Sequence, residues 1–152
     1  MAEHSYEAAL KRLEALVGAW KVETSLEVDP SLGPARAGFD WTLGRKFLLQ
    51  RATVPVAQAP DVFAVIGADP ETGAYTQHYF DSRGVVRVYE MELTDDTWTL
   101  LRAKPDFTPL PFAQRYVGTF EGRGRRIAGR WEKSEDGSEW ELDFELSYEK
   151  LS

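Results

Sequence analysis

Cysteine is absent from this 152-residue chain, which removes disulfides, thiolate nucleophiles and cysteine-ligated metals together. Histidine is scarce: His4 and His78 are the two. Neither H-E-x-x-H nor any other metal-spaced run occurs, so no zinc centre is expected. Positive charge is in deficit, with 18 Lys+Arg against 25 Asp+Glu and a formal net charge of −7. Such a chain gains little by neutralising phosphates, so neither nucleic acid nor an anionic membrane surface is an expected partner. No apolar run is long enough to span a bilayer, and Met1-Ala2-Glu3-His4 lacks a basic region followed by an apolar stretch. A cytoplasmic location is the expectation.

What is present is a rhythm. Hydrophobic residues make up 43% of the chain, ordinary for a globular protein, and the length suits one domain over residues 1–152. Tyr6, Ala9, Leu10, Leu13, Leu16 and Val17 fall at helical spacing. A helix over about 6–17 is therefore expected, with Ser5 as N-cap and Gly18 as its stop. Its apolar face needs a partner, which a barrel end would supply.

From Trp20 the period becomes two. Trp20, Val22, Leu26 and Val28 alternate with charged and hydroxyl residues, and Ala37, Phe39 and Trp41 follow. Further runs are Phe47 to Val54, Val62 to Ala68, Tyr75 to Phe80, Val85 to Leu93 and Trp98 to Arg102. After a three-proline loop, Lys104 to Pro111, come Phe112 to Phe120, Ile127 to Lys133 and Trp140 to Tyr148. The last run alternates most cleanly, with Trp140, Leu142, Phe144, Leu146 and Tyr148 on one face and Glu139, Glu141, Asp143 and Glu145 on the other. About ten strands at regular spacing, joined by short turns, predict an all-β, single antiparallel up-and-down barrel over about 19–149, capped at one end by the helix. Closure removes exposed edges, and barrels of this size commonly hold one small molecule.

The order of helix, Gly18-Ala19-Trp20, then antiparallel strands resembles the calycin superfamily, including lipocalins, fatty-acid-binding proteins and nitrobindin-like proteins. More specifically, Phe47-Leu48-Leu49-Gln50-Arg51, His78-Tyr79-Phe80-Asp81-Ser82-Arg83-Gly84 and Ile127-Ala128-Gly129-Arg130-Trp131-Glu132 are similar to segments of uncharacterised bacterial lipocalin-like proteins. The resemblance covers nearly the whole chain and implies a barrel with a cavity, with Trp20 capping the closed end. It implies no reaction. Nitrobindin-like barrels hold haem through a histidine near the C-terminus, and Trp140 to Tyr148 offers none. Haem would need His78 or Tyr148 as its axial ligand, so no cofactor is expected.

Strand parity selects candidate ligand-binding residues. Arg51 shares a face with Phe47 and Leu49, whereas Gln50 shares one with Leu48 and Val54. His78 lies with Thr76 and Phe80, and Gln77 with Tyr75 and Tyr79. Arg87 falls with Tyr89 and Met91, Arg102 with Trp98 and Leu100, and Gln114 between Phe112 and Tyr116. A few polar groups on apolar walls is the make-up of a binding pocket. A cluster from Arg51, His78, Arg87 and Arg102 could hold a carboxylate or phenolate, with Trp41, Tyr79, Tyr89 and Tyr116 walling the apolar tail. The competing reading places each arginine outside, its stem on apolar surface, and gives His78 a hydrogen-bonded structural role. Trp20 and Trp131 read as structural.

Other catalytic templates fail. Asp81 and Ser82 lie near His78, but no Gly-x-Ser-x-Gly elbow exists. Gly122, Gly124 and Gly129 lack phosphate-loop spacing and open no helix, while Arg123, Arg125 and Arg126 read as a solvated hairpin tip. The expectation is a barrel binding a small hydrophobic or amphipathic molecule, anionic ones included, with a homodimer as a further candidate assembly. The alternatives are an isomerase- or cyclase-type enzyme using His78 or a buried tyrosine as acid/base, and an interaction protein whose barrel is filled by side chains.

Overall fold

The computed structural model describes residues 2–27, 29, 31, 33–55, 61–104 and 111–151, together with the side chains of these from Ser5 onward. Its element order begins with helix α1 (Ala2–Arg12) and a 3-10 turn (Leu13–Leu16). Five strands follow: β1 (Gly18–Thr24), β2 (Arg36–Thr42), β3 (Phe47–Thr53), β4 (Val62–Ala68) and β5 (Tyr75–Asp81). Then come β6 (Val86–Leu93), β7 (Thr97–Arg102), β8 (Ala113–Glu121), β9 (Arg126–Ser134) and β10 (Glu141–Lys150). Each strand pairs antiparallel with its sequence neighbours, and β1 pairs with β10 to close the barrel. No helix among the described residues is long and apolar enough to cross a membrane.

The helix plugs one end, as its apolar spacing requires. Leu13 and Leu16 are fully buried in the same core as Trp20, whose indole Nε1 donates to the Leu16 carbonyl at 2.9 Å. Tyr75 at the start of β5 donates its hydroxyl to the Ala9 carbonyl at 2.6 Å. On the outer side Glu14 accepts from Trp41 Nε1 at 2.7 Å and from Arg45, tying the plug to the β2–β3 hairpin. Gly73 permits the β4–β5 turn to approach: its φ is +78°, and a Cβ there would lie 2.8 Å from the Ser5 carbonyl oxygen. The helix differs from expectation at both ends. It starts at Ala2, placing Ser5 inside rather than at the cap, and its last turn tightens to 3-10 geometry before Val17.

In β10 the simple alternation fails. The register with β9 shifts between Leu142 and Phe144, a bulge that reverses parity upstream of it. Leu142 is left exposed, and Trp140 is drawn outside, where the Arg115 guanidinium lies 4.3 Å from its ring. Phe144, Leu146 and Tyr148 still face inward. The three-proline loop expected between β7 and β8 falls largely outside the described residues.

Candidate functional site

The plugged end lies at the starts of β1, β3, β5, β7 and β9, so the opposite end of the barrel is the mouth. Between them is an interior cavity of about 440 Å³. Its base and middle are aromatic. Trp98, fully buried on β7, sits 5.3 Å from Tyr116 and 5.7 Å from Tyr148, centroid to centroid. Tyr116 is 5.3 Å from Trp131, which is 5.6 Å from Tyr89. These rings meet edge-on or tilted, the arrangement their quadrupoles favour. Tyr116 is fixed by its hydroxyl, which donates to the Leu146 carbonyl at 3.0 Å, and a Cβ on Gly129 would overlap that hydroxyl.

The polar groups on this wall are chiefly amides. Gln50, Gln77 and Gln114 are all buried and line the cavity. The strand pleat explains why: each occupies the same parity as its buried apolar neighbours, Leu48, Tyr75 and Tyr116 respectively. Gln50 shares a hydrogen bond with the Tyr148 hydroxyl. Gln77 Oε1 and Gln114 Oε1 have no hydrogen-bond partner, and the same holds for Trp98 Nε1 and Arg87 Nε. These are the four buried side-chain polar atoms so left among the described residues, and all four residues line this one cavity.

Near the mouth the wall becomes charged. Arg87 on β6 pairs in register with Tyr79 on β5, and both line the cavity with Arg83. Tyr79 donates its hydroxyl to Asp81 Oδ2 at 2.8 Å, and Arg83 grips the same carboxylate through Nη2 at 2.7 Å and Nε at 3.2 Å. The Asp81 side chain is inaccessible to solvent. Burial acts to raise its pKa, but the hydrogen bonds from Arg83 and Tyr79 outweigh it and hold the carboxyl below the usual range. Burial, with Asp81 second, pushes the Tyr79 phenol well up. Burial likewise raises Tyr116, and it raises Tyr148 to about 12 against the opposing Gln50 bond. These phenols are neutral hydrogen-bonding groups at ordinary pH, poor as general bases.

The structure separates the residues that parity brought together in the sequence. Arg87, Tyr89, Gln114 and Tyr116 line the cavity. Arg102 is buried, in register with Gln114, but is not on the cavity wall. Arg51 points out of the barrel, its guanidinium 5.7 Å from the exposed Phe63 ring, and borders a depression on the outer surface. His78 is also exposed on the outer face, because β5 turns Gln77 inward. Trp41 has inward parity but belongs to the plugged end, bonded to Glu14 and covered by Arg45 at 5.1 Å. Trp131, read as structural, packs in the aromatic cluster and also borders the cavity, whereas Asp143 is a correction, brought to that wall by the β10 bulge.

Haem does not fit these residues. His78 faces away from the cavity, and Tyr148 faces it with its hydroxyl engaged by Gln50 and its neutral form favoured. Among the described residues no group of three or more His, Cys, Asp or Glu is placed to hold a metal ion. The outward position of His78 also removes it as an acid or base for a substrate inside the barrel.

Fold and site together define a closed, ten-stranded, up-and-down antiparallel barrel with one end plugged by a helix and a cavity within. Among solved structures, the chain is similar to Rv2717c from M. tuberculosis, with a TM-score of 0.60 and 15% sequence identity over 95% of this chain and 98% of that one. At that identity the likeness concerns the fold alone. No protein-family model and no curated protein matches the chain.

Proposed function

We propose that the protein is a calycin-like binding barrel that takes up one small, mainly apolar, anionic molecule. The observation that carries this reading is the cavity of about 440 Å³, which falls within the usual size of small-molecule pockets. Aromatic and aliphatic side chains make most of its wall, so burial of an apolar body supplies the affinity. Two arginines, Arg83 and Arg87, stand on that wall against one acid, Asp143, in a chain whose overall charge is −7. Arg83 is engaged by Asp81, which leaves Arg87 as the residue to meet an anionic headgroup.

Fluorescence titration with anilinonaphthalene sulfonate tests the reading. Saturable uptake of one dye per chain, reversed by dodecanoate, is expected, with Arg87→Ala weakening dodecanoate about tenfold. Absence of saturable uptake by a folded protein would overturn it.

A further inference from the structure

The cavity's unpartnered atoms restrict what its occupant can be. A plain hydrocarbon chain would fill the aromatic space yet leave Trp98 Nε1, Gln77 Oε1 and Gln114 Oε1 without partners. Burying such groups unpaired is strongly unfavourable in an enclosed apolar site. The residues concerned are 1%, 3% and 9% exposed, so bulk solvent reaches none of them freely once the cavity is occupied. Their chemistry is mixed: an indole N–H donates, whereas the amide oxygens accept. A hydroxyl both donates and accepts, so it can serve either kind, and a carbonyl serves the indole.

The rest of the wall favours a flat ligand. Trp98, Tyr116, Trp131 and Tyr89 form a continuous chain of ring contacts, each ring locked by its neighbours. Rigid ring faces and edges suit an aromatic partner better than a flexible chain, whose rotamer freedom must be surrendered on entry. Along β6 the inward positions run from Arg87 through Tyr89 and Met91 to Leu93, and Leu93 pairs with Trp98. Arg87 therefore stands at the mouth and Trp98 near the plugged base.

We infer that the ligand is a flat aromatic anion carrying hydroxyl or carbonyl groups on the part that enters the barrel, and that Gln77, Gln114 and Trp98 select it over hydrocarbon-tailed carboxylates. This rests on the binding function proposed above. Arg87 meets the anion at the mouth, while the amides and the indole read the oxygen functions below it. Discrimination follows because a site built around buried polar groups rejects the analogue that leaves them unpaired.

The test is displacement of anilinonaphthalene sulfonate by naphthoate, by its isomeric ring-hydroxylated forms and by dodecanoate. At least one hydroxylated naphthoate should bind about tenfold or more tightly than naphthoate itself. Gln77→Leu and Trp98→Phe, each checked for folding by thermal melting, should shrink that ratio towards one, because the hydroxylated form loses its partner and naphthoate no longer leaves a polar atom unpaired. Equal binding of all the naphthoates, or a preference that survives both substitutions, would overturn the inference while leaving a binding barrel intact. If neither the dye nor any competitor binds, the binding function itself fails, and the inference falls with it.

Discussion

Replacing Gln77 by leucine should make the ligand-free protein more stable. Gln77 is 3% exposed, and its Oε1 has no hydrogen-bond partner among the described residues. A buried polar atom left unpaired costs about 1–3 kcal/mol. Leucine has nearly the same volume, keeps the inward parity between Tyr75 and Tyr79, and carries no such penalty. Water can enter a cavity of about 440 Å³ and partner the amide, which offsets part of the cost. The expected gain is therefore at the low end, about 1 kcal/mol, equivalent to a rise of about 2–4 °C in Tm for a chain of this length. Urea unfolding followed by circular dichroism measures it as a higher midpoint at unchanged m. Gln50→Leu is the control with opposite sign. Its amide serves the Tyr148 hydroxyl, so the substitution leaves that phenol unpaired in the core and should destabilise by about 1–3 kcal/mol. A loss of more than about 1 kcal/mol in Gln77→Leu, at unchanged m, would refute the reasoning, because it would mean the amide is satisfied in the folded protein.

Other expected outcomes concern the groups that shape the cavity. Gly129→Ala should destabilise by about 1–3 kcal/mol in urea unfolding, because the new methyl displaces the Tyr116 hydroxyl from the Leu146 carbonyl. Unchanged stability would mean that Tyr116 has room to move. The Asp81 carboxyl is held below its usual pKa, so its contribution is present above the unfolded value near 4 and is lost as pH falls through the folded value. Wild type should thus exceed Asp81→Asn in stability at neutral pH, with the gap closing below about pH 4; a pH-independent gap would contradict this. Tyr116 and Tyr148 are raised chiefly by burial, Tyr148 to about 12, so the fold favours their neutral forms. That contribution is complete below the ordinary phenol value of about 10 and is lost as pH rises towards the folded values. Ultraviolet titration should show tyrosinate absorbance from these two appearing late, together with alkaline unfolding, and Tyr148→Phe should delay that unfolding.

The fold was legible because alternation and turn residues agree along nearly the whole chain. Val62 to Ala68 begins and ends where the sequence places it, and the closure of β1 onto β10 follows from a run of short connections. The site was legible only in part. Parity within β3 and β5 separates Gln50 from Arg51 and Gln77 from His78, but apolar residues stand on both faces of those strands. Leu49, Phe63 and Phe80 lie outside while Leu48, Ala64 and Tyr75 lie inside, so hydrophobicity alone does not say which face is the interior. Chemistry then favours the charged member of each pair, and desolvation favours the amide, which enters an apolar interior at lower cost. In β10 the bulge defeats parity altogether, since nothing in Trp140-Glu141-Leu142-Asp143-Phe144 marks where an extra residue is accommodated. The Asp81–Arg83 turn was visible as a distinctive segment, but its part in fixing Tyr79 at the mouth arises only where the pleat turns Tyr79 and Asp81 to the same face.

The two most deeply buried indoles argue that the cavity's unpaired atoms serve a purpose. Trp20 and Trp98 are 0% and 1% exposed, on strands that both begin at the plugged end. Trp20 turns its N–H to the helix and finds the Leu16 carbonyl. Other buried polar groups are likewise provided for: Tyr75 by Ala9, Tyr116 by Leu146, Ser134 by Asp136. A chain that satisfies polar groups at its plug and in its strands nevertheless leaves Trp98, Gln77, Gln114 and Arg87 each with an open atom. Random packing faults would scatter such atoms through the core, whereas these four residues converge on one cavity. Apolar residues of similar shape would remove the penalty at each position, so retaining polar ones sacrifices stability at that wall alone. Such a concentration of unmet hydrogen bonds in a cavity of about 440 Å³ supports the proposed site for an oxygen-bearing ligand, and stability regained on binding is the corresponding linkage.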